Sequence, residues 1–117
     1  MPTFKIKRVY DQPAEADGWR VLVDRLWPRG LSKERAALDH WAKEVAPSDE
    51  LRKDFHGGLL VFEKFSLRYQ AELKQNPELE KLREAAGAHE AVTLLYASRN
   101  KEQNHARLLR DFLMGFE

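Results

Sequence analysis

Cysteine is absent from this chain of 117 residues. That removes disulfide staples, thiolate nucleophiles and cysteine zinc sites, and it fits a reducing compartment, so a cytoplasmic protein is expected. Long apolar runs are missing too: nothing approaches the roughly 18 consecutive apolar residues of a membrane span. The N-terminal MPTFKIKRVY has no apolar stretch of the kind an export signal carries, so a soluble protein without membrane association is expected. Neither charge dominates. Lys and Arg number 20 against 19 Asp and Glu, a net charge of +1, too balanced for the basic surface of a dedicated duplex binder. The glycine signatures GxGxxG, GxxxxGK and GxSxG do not occur, so dinucleotide-fold, P-loop and hydrolase-elbow chemistries lack their marks. With no internal repeat, low-complexity tract or long linker, one domain over 1–117 is expected.

What is present is enough to fold. A hydrophobic content of 43% with 10% aromatics supplies a core without covalent staples. Residues 1–35 hold eight Lys and Arg against five acids, while 36–117 hold twelve against fourteen. A local cationic end favours a small anionic ligand over a long polyanion, leaving nucleic acid as the less favoured partner. An ordinary solvated charge imbalance accounts for the same count equally well.

FKIKRVY, Phe4 to Tyr10, alternates as a half-buried strand whose lysines face water. In WRVLVDRL the consecutive Val21, Leu22 and Val23 predict a central parallel strand buried on both faces, and AVTLLYAS from Ala91 to Ser98 predicts another. Between them, Leu38, Trp41, Ala42 and Val45 at helical spacing predict a helix over 33–45 capped by Ser32, with a short strand inside 39–46 as the competing reading. Ser48 caps a helix that HGG (56–58) stops, and Phe62, Phe65, Tyr69 and Leu73 form the apolar stripe of a helix over 60–75. Asn76 caps a fourth helix, with Pro77 first and Gly87 in a left-handed terminal position. The last helix opens at Asn100 or Asn104 and stops at Gly115. Strands alternating with helices predict an α/β domain in three layers, a mostly parallel central sheet covered by helices.

Ligands of such sheets sit at the carboxyl ends of the strands, which directs attention to DRLWPRG after one strand and YASRNKEQNHA after the other. Arg25 and Arg29 suit a phosphate or carboxylate because a guanidinium binds it bidentately. Gly30 and the helix start behind it offer backbone donors, and Trp27 offers a flat face. Asp24, at the end of an apolar strand, is the candidate acid or base. Across the pocket, Ser98, Arg99, Asn104 and His105 orient a substrate, His105 as the proton shuttle. The plainer alternative makes Asp24 with Arg25 or Arg29 an ion pair closing a turn, leaves Trp41 in the core, and puts His40, His56 and His89 at the surface or at caps. No set of residues has metal-ligand spacing, and no cofactor is implied.

The segments VLVDRLWPRGLSKE, WAKEVAPSDELRKDF and LLYASRNKEQNHA, in that order and spacing, closely resemble the YeaO-like family, a bacterial group of small domains of unknown function. The resemblance implies a compact α/β domain. It also implies that Lys43, Glu44 and Arg52 border the pocket of DRLWPRG, and that Tyr96 and Asn104 stand where more distant relatives carry cysteines, with Ala106 in place of an arginine and His105 retained. The resulting expectation is a pocket for a small anionic or phosphorylated, nucleotide-like ligand: Asp24 and His105 handle protons, and Arg25, Trp27, Arg29, Gly30, Lys43, Arg52, Tyr96, Arg99 and Asn104 bind. Hydrolysis of a glycosidic or phosphate bond is the reaction class to test. A non-catalytic nucleotide- or nucleic-acid-binding module and a protein-interaction domain are the alternatives, and the oligomeric state stays open.

Overall fold

Two apolar runs of this sequence, Val21–Val23 and Val92–Tyr96, have almost no exposed surface, and the fold is built around them. The computed structural model describes residues 2–115. Four strands, β1 (Thr3–Arg8), β2 (Trp19–Leu22), β3 (His40–Trp41) and β4 (Ala91–Tyr96), pair in the order β1-β4-β2-β3. Every pairing is parallel, with Phe4 opposite Val92 and Leu22 opposite Leu95. The helices are α1 (Lys33–Ala36), α2 (Asp49–His56), α3 (Phe62–Lys74), α4 (Pro77–Ala86) and α5 (His105–Leu113). The chain is therefore an α/β domain, with β2 and β4 central as their uninterrupted apolar character requires.

Side chains alternate across the sheet. Val21, Val23, Val92, Leu94 and Tyr96 project to one face, where they pack with Phe65, Tyr69 and Leu73 of α3, Leu79 and Leu82 of α4, and Leu109 and Leu113 of α5. Leu22 and Leu95 project to the other, against Val9, Leu31 and Ala36 with Trp27 and Trp41 at its edge. The three layers are unequal: four helices share the main core, while the second face is covered by the 24–38 segment and the one-turn α1.

The helix expected over 33–45 is a correction. Ser32 does cap a helix, accepting from Arg35 N, but that helix ends at Ala37 in the left-handed region, φ 48°. The chain then runs along the open edge of β2, where Asp39 N donates to Arg20 O (2.9 Å) and Ala42 N to Leu22 O (2.8 Å). An unpaired edge of a buried strand must be satisfied, and that demand outweighs a helical spacing of four apolar residues. Gly87 also differs: its φ of −61° is right-handed. Nor do the β1 lysines simply face water, since Lys5 Nζ donates to Ala16 O and Lys7 Nζ pairs with Asp17 at 3.1 Å.

That Asp17 anchors the polar part of the second face. Arg20, nearly buried, donates to its Oδ2 (2.5 Å) and to the carbonyls of Ala36 and Ala37, while Thr93 Oγ1 donates to Asp17 O. Burial alone would raise the Asp17 carboxyl, but the bonds from Ala14 N, Lys7 and Arg20 bring it below the ordinary 3.8. Gly18 follows at φ 66°, and a Cβ there would collide with the Ala91 carbonyl. Only glycine brings the turn this close to β4.

Candidate functional site

Because β2 and β4 are neighbours and parallel, the loops that leave them emerge together. The ladder extends past the strands: Val23 N donates to Leu95 O (3.0 Å), and then Ala97 N donates to the Asp24 carboxylate through Oδ2 (3.0 Å). Asp24 thus closes the end of the strand pair with its side chain, and its own carbonyl accepts from Trp41 Nε1 at 2.7 Å. His105, the first residue of α5, reaches the same place. Its Nε2 lies 3.0 Å from Val23 O and 2.9 Å from Asp24 Oδ1. Both neighbours are acceptors, so Nε2 carries a proton. That proton is aligned on the carbonyl, and Asp24 Oδ1 is buried without a hydrogen bond.

Beside this pair opens a cavity of about 480 Å³. One wall is the β2 exit with Arg25, Trp27 and Arg29. The facing wall is the β4 exit with Ser98, Arg99, Gln103 and Asn104. The third side comes from α2 with Arg52, Phe55 and His56, backed by Phe65. Four arginines and two histidines thus line it against the single carboxylate of Asp24.

The arginines differ in what already holds them. Arg25 lines the cavity, yet its fork is engaged on Pro47 O and Ala46 O (both 3.1 Å), which ties the chain leading into α2 to the strand end. Arg29 is exposed, and among the described residues its guanidinium makes no hydrogen bond or ion pair; its backbone carbonyl accepts from Tyr10 OH (2.8 Å). Arg99 is likewise exposed at the opposite wall. Arg52 makes one long contact to Asp49 through Nη2 (3.4 Å), and its Nε is buried with no partner.

Trp27 lines the cavity with Nε1 donating to Leu31 O (2.7 Å) and its ring edge-on to Trp41. Asn104 caps α5: Oδ1 accepts from Arg107 N and Nδ2 donates to Asn100 O (both 2.9 Å). Four expected residues lie outside the lining, Glu44 among them, whose carbonyl accepts from Asn76 Nδ2 at 2.8 Å. Lys43 stacks its ammonium over the Trp41 ring at 5.1 Å. Gly30, at φ 73°, turns the loop without facing the cavity. Tyr96 is in the core, where burial raises its phenol.

Sequence reasoning missed several lining groups. His56 looked like a helix-end residue, yet it faces the cavity. Burial, helped by Arg52 and His105, moves its imidazole below the usual 6.5, while Asp24 pulls the other way. Tyr10 and Phe55 were a strand and a helix residue in the sequence reading, and only their place in the fold puts them in the lining. Arg8 was overlooked as a support: Nε and Nη2 hold Ser98 O and Ala97 O at 2.9 and 3.2 Å, fixing the start of the β4 exit. No sequence signal marked it, since its place opposite Tyr96 comes from the pairing of β1 with β4. Among the described residues no group of three or more His, Asp or Glu is placed to hold a metal ion, and no helix is long and apolar enough to cross a membrane.

Fold and site define the class: a parallel α/β domain with an arginine-lined cavity at the carboxyl ends of its two central strands. Residues 3–115 match the family DUF488-N3i, described as the inactive DUF488-N3 subclade. The chain is 49% identical over 107 residues to the uncharacterized protein YeaO of Escherichia coli K12, covering 92% of this chain and 93% of that one. It is 40% identical over 111 residues to the uncharacterized proteins Rv3073c of Mycobacterium tuberculosis H37Rv and Mb3100c of Mycobacterium bovis, covering 95% of this chain and 93% of each. No solved structure matches it. The chain belongs to this YeaO-like family of unknown function.

Proposed function

We propose that the protein binds a small anionic ligand, a phosphate ester or carboxylate, in the cavity between the β2 and β4 exits, and holds it without turnover. The observation that carries this reading is that Arg29 and Arg99 line the cavity from its two facing walls with guanidiniums that make no hydrogen bond or ion pair among the described residues, while Arg52, held by one long contact to Asp49, lines its third side. A ligand oxygen between these guanidiniums makes charge-assisted hydrogen bonds, the stronger kind. The enclosed size suits a small molecule better than a polyanion.

Binding without chemistry is supported by how Asp24 and His105 are used. Asp24 Oδ2 closes the strand pair and His105 Nε2 points at a backbone carbonyl, so both reactive atoms are turned into the protein. A general base must reach a proton of the ligand. The description of the family as an inactive subclade agrees with this. Hydrolysis is the second reading. It requires the Asp24–His105 contact to open toward the cavity, and Asp24 Oδ1, buried and unbonded, is the atom that favours it.

Titration calorimetry with inorganic phosphate on wild type, Arg29→Ala, Arg99→Ala and Arg25→Ala tests the proposal. Saturable binding is expected, weakened about tenfold by loss of one charged contact in either the Arg29 or the Arg99 variant. Neither variant should change unfolding free energy by more than about 0.5 kcal/mol. Arg25→Ala instead costs about 1.5–3 kcal/mol of stability through its lost bonds to two carbonyls. Phosphate affinity that is absent, or equal in all four proteins, overturns the reading.

A further inference from the structure

A shallow groove leads away from the cavity and shares Phe55 and Gln103 with it. Its walls are hydrocarbon: Leu60, Val61, Phe62 and Leu67 beside Phe55. Phe55 lies 4.3 Å from Phe65 and 5.9 Å from Phe62, centroid to centroid, so three phenyl rings run from the cavity into the groove. Val61 and Leu67 are 67% and 60% exposed, at the groove and close to a strongly cationic opening. Apolar side chains held in water at the mouth of a charged cavity stand where part of a ligand would cover them.

Charge orients that ligand. The one charged side chain on the groove is Glu63, an acid, while the cavity end carries Arg29, Arg52 and Arg99. An anionic group is therefore drawn to the cavity and repelled from the groove. The groove offers little to read a base edge: Ser66 Oγ already accepts from Gln70, and the Gln103 carboxamide is the one paired donor and acceptor in its lining. Most of a nucleobase's polar edge would be buried unmatched there, at the cost of its hydrogen bonds to water. A flat hydrocarbon loses nothing, and it gains the ring contacts of Phe55 and Phe62.

On the reading that the arginine cavity takes an anion, we infer that the ligand is amphiphilic: one phosphate or carboxylate head among Arg29, Arg52 and Arg99, and an aryl body lying in the Phe55–Phe62–Leu67 groove. Head and body are bridged past Phe55, where the two spaces join.

Calorimetry with inorganic phosphate, phenyl phosphate, hexyl phosphate, benzoate and phenol separates the parts. Phenyl phosphate should bind at least tenfold tighter than inorganic phosphate and tighter than hexyl phosphate, and phenol should bind at least tenfold more weakly than phenyl phosphate. Benzoate measures how far a carboxylate replaces the phosphate head; benzoate no tighter than phenol restricts the head to phosphate and overturns the carboxylate half of the inference. Leu67→Asp, at an exposed helix position, should remove the gain from the ring while leaving inorganic phosphate affinity and melting temperature unchanged; Val61→Asp is the independent second variant. Arg99→Ala should weaken inorganic and phenyl phosphate by the same factor.

Equal affinities for inorganic and phenyl phosphate overturn this inference and leave the anion cavity standing. No binding of any anion removes the cavity reading and the inference built on it together. Hexyl phosphate binding tighter than phenyl phosphate overturns the aryl assignment. Sedimentation covers the remaining occupant: a dimer at tens of micromolar that Leu67→Asp disperses would make the groove an interface between copies and overturn the inference.

Discussion

Asp24 does two things with one side chain. Oδ2 replaces a strand carbonyl as acceptor for Ala97 N, and Oδ1 sits against His105, so the two strand exits and the start of α5 meet on a single carboxylate. His56, at the end of α2, is a titrating group in the cavity lining whose imidazole is shifted. Its folded value lies below 6.5 through burial, Arg52 and His105. As pH falls from 6.5 the unfolded chain therefore protonates first, and stability drops until the lower folded value is passed, with no further loss below it. An anion in the cavity acts oppositely, favouring the imidazolium and raising its midpoint. An NMR titration of the His56 ring should give a midpoint under 6.5 that moves up on adding phosphate. A free-protein midpoint above 6.5, or one indifferent to phosphate, contradicts this account.

At the scale of elements, what matters is how segments with little intrinsic preference are pinned. The two-residue β3 exists because β2 offers it a free edge and because Trp41 Nε1 reaches Asp24 O. The start of α2 is held by Glu72 of α3, whose two carboxylate oxygens accept from Ser48 N (2.9 Å) and Ser48 Oγ (2.6 Å), and this sets the helix that carries Arg52 and His56. On the second face the Asp17–Arg20–Lys7 group binds the 14–17 turn to β1, β2 and the end of α1. Asp17→Ala strands the nearly buried Arg20 and should cost about 3–5 kcal/mol at neutral pH, measured by urea unfolding. Since the Asp17 carboxyl is held below 3.8, its contribution is complete above that value and is lost as pH falls through the lowered one. The gap between wild type and variant should therefore narrow in acid. A loss under about 1 kcal/mol at neutral pH would mean the network is not needed.

For the whole molecule, stability is graded outward from the β4–β2 pair. Val92, Leu94, Leu95, Val21 and Leu22 have no exposed surface, and both strands are flanked on each side. The 98–103 loop and the 57–61 link between α2 and α3 lie at the surface around the cavity and groove. Hydrogen exchange should be slowest at the amides of 92–95 and 21–23, faster in β3, and fastest in those two connections. The connections should gain protection when phenyl phosphate binds. Exchange in β4 as fast as in β3 would refute the gradient. Surface loops that line a cavity over a well-protected sheet end are the ordinary division of labour in parallel α/β folds.

Much of this was legible in the chain itself. Unbroken apolar runs marked β2 and β4 as central, Ser48 and Asn76 with Pro77 marked helix starts, Asn104 was one of two starts offered for α5, and DRLWPRG marked a wall of the cavity, because strand burial and capping are local and leave local patterns. Over 39–46 the sequence left helix and short strand in competition, and the strand His40–Trp41 prevailed because an edge of β2, which exists only after the sheet has formed, overruled the helical spacing. The division among the arginines was not legible: Arg25 and Arg29 look alike in sequence, yet one is spent on the carbonyls of 46 and 47 and the other is free among the described residues. Sequence alone determined the two central strands, the four longer helices and which end of the sheet carries the polar cluster. Tertiary structure alone decided which charges are engaged, that His56 and Phe55 join the cavity, and that Lys43 and Tyr96 stay out, because hydrogen-bond partners and desolvation come from residues distant along the chain.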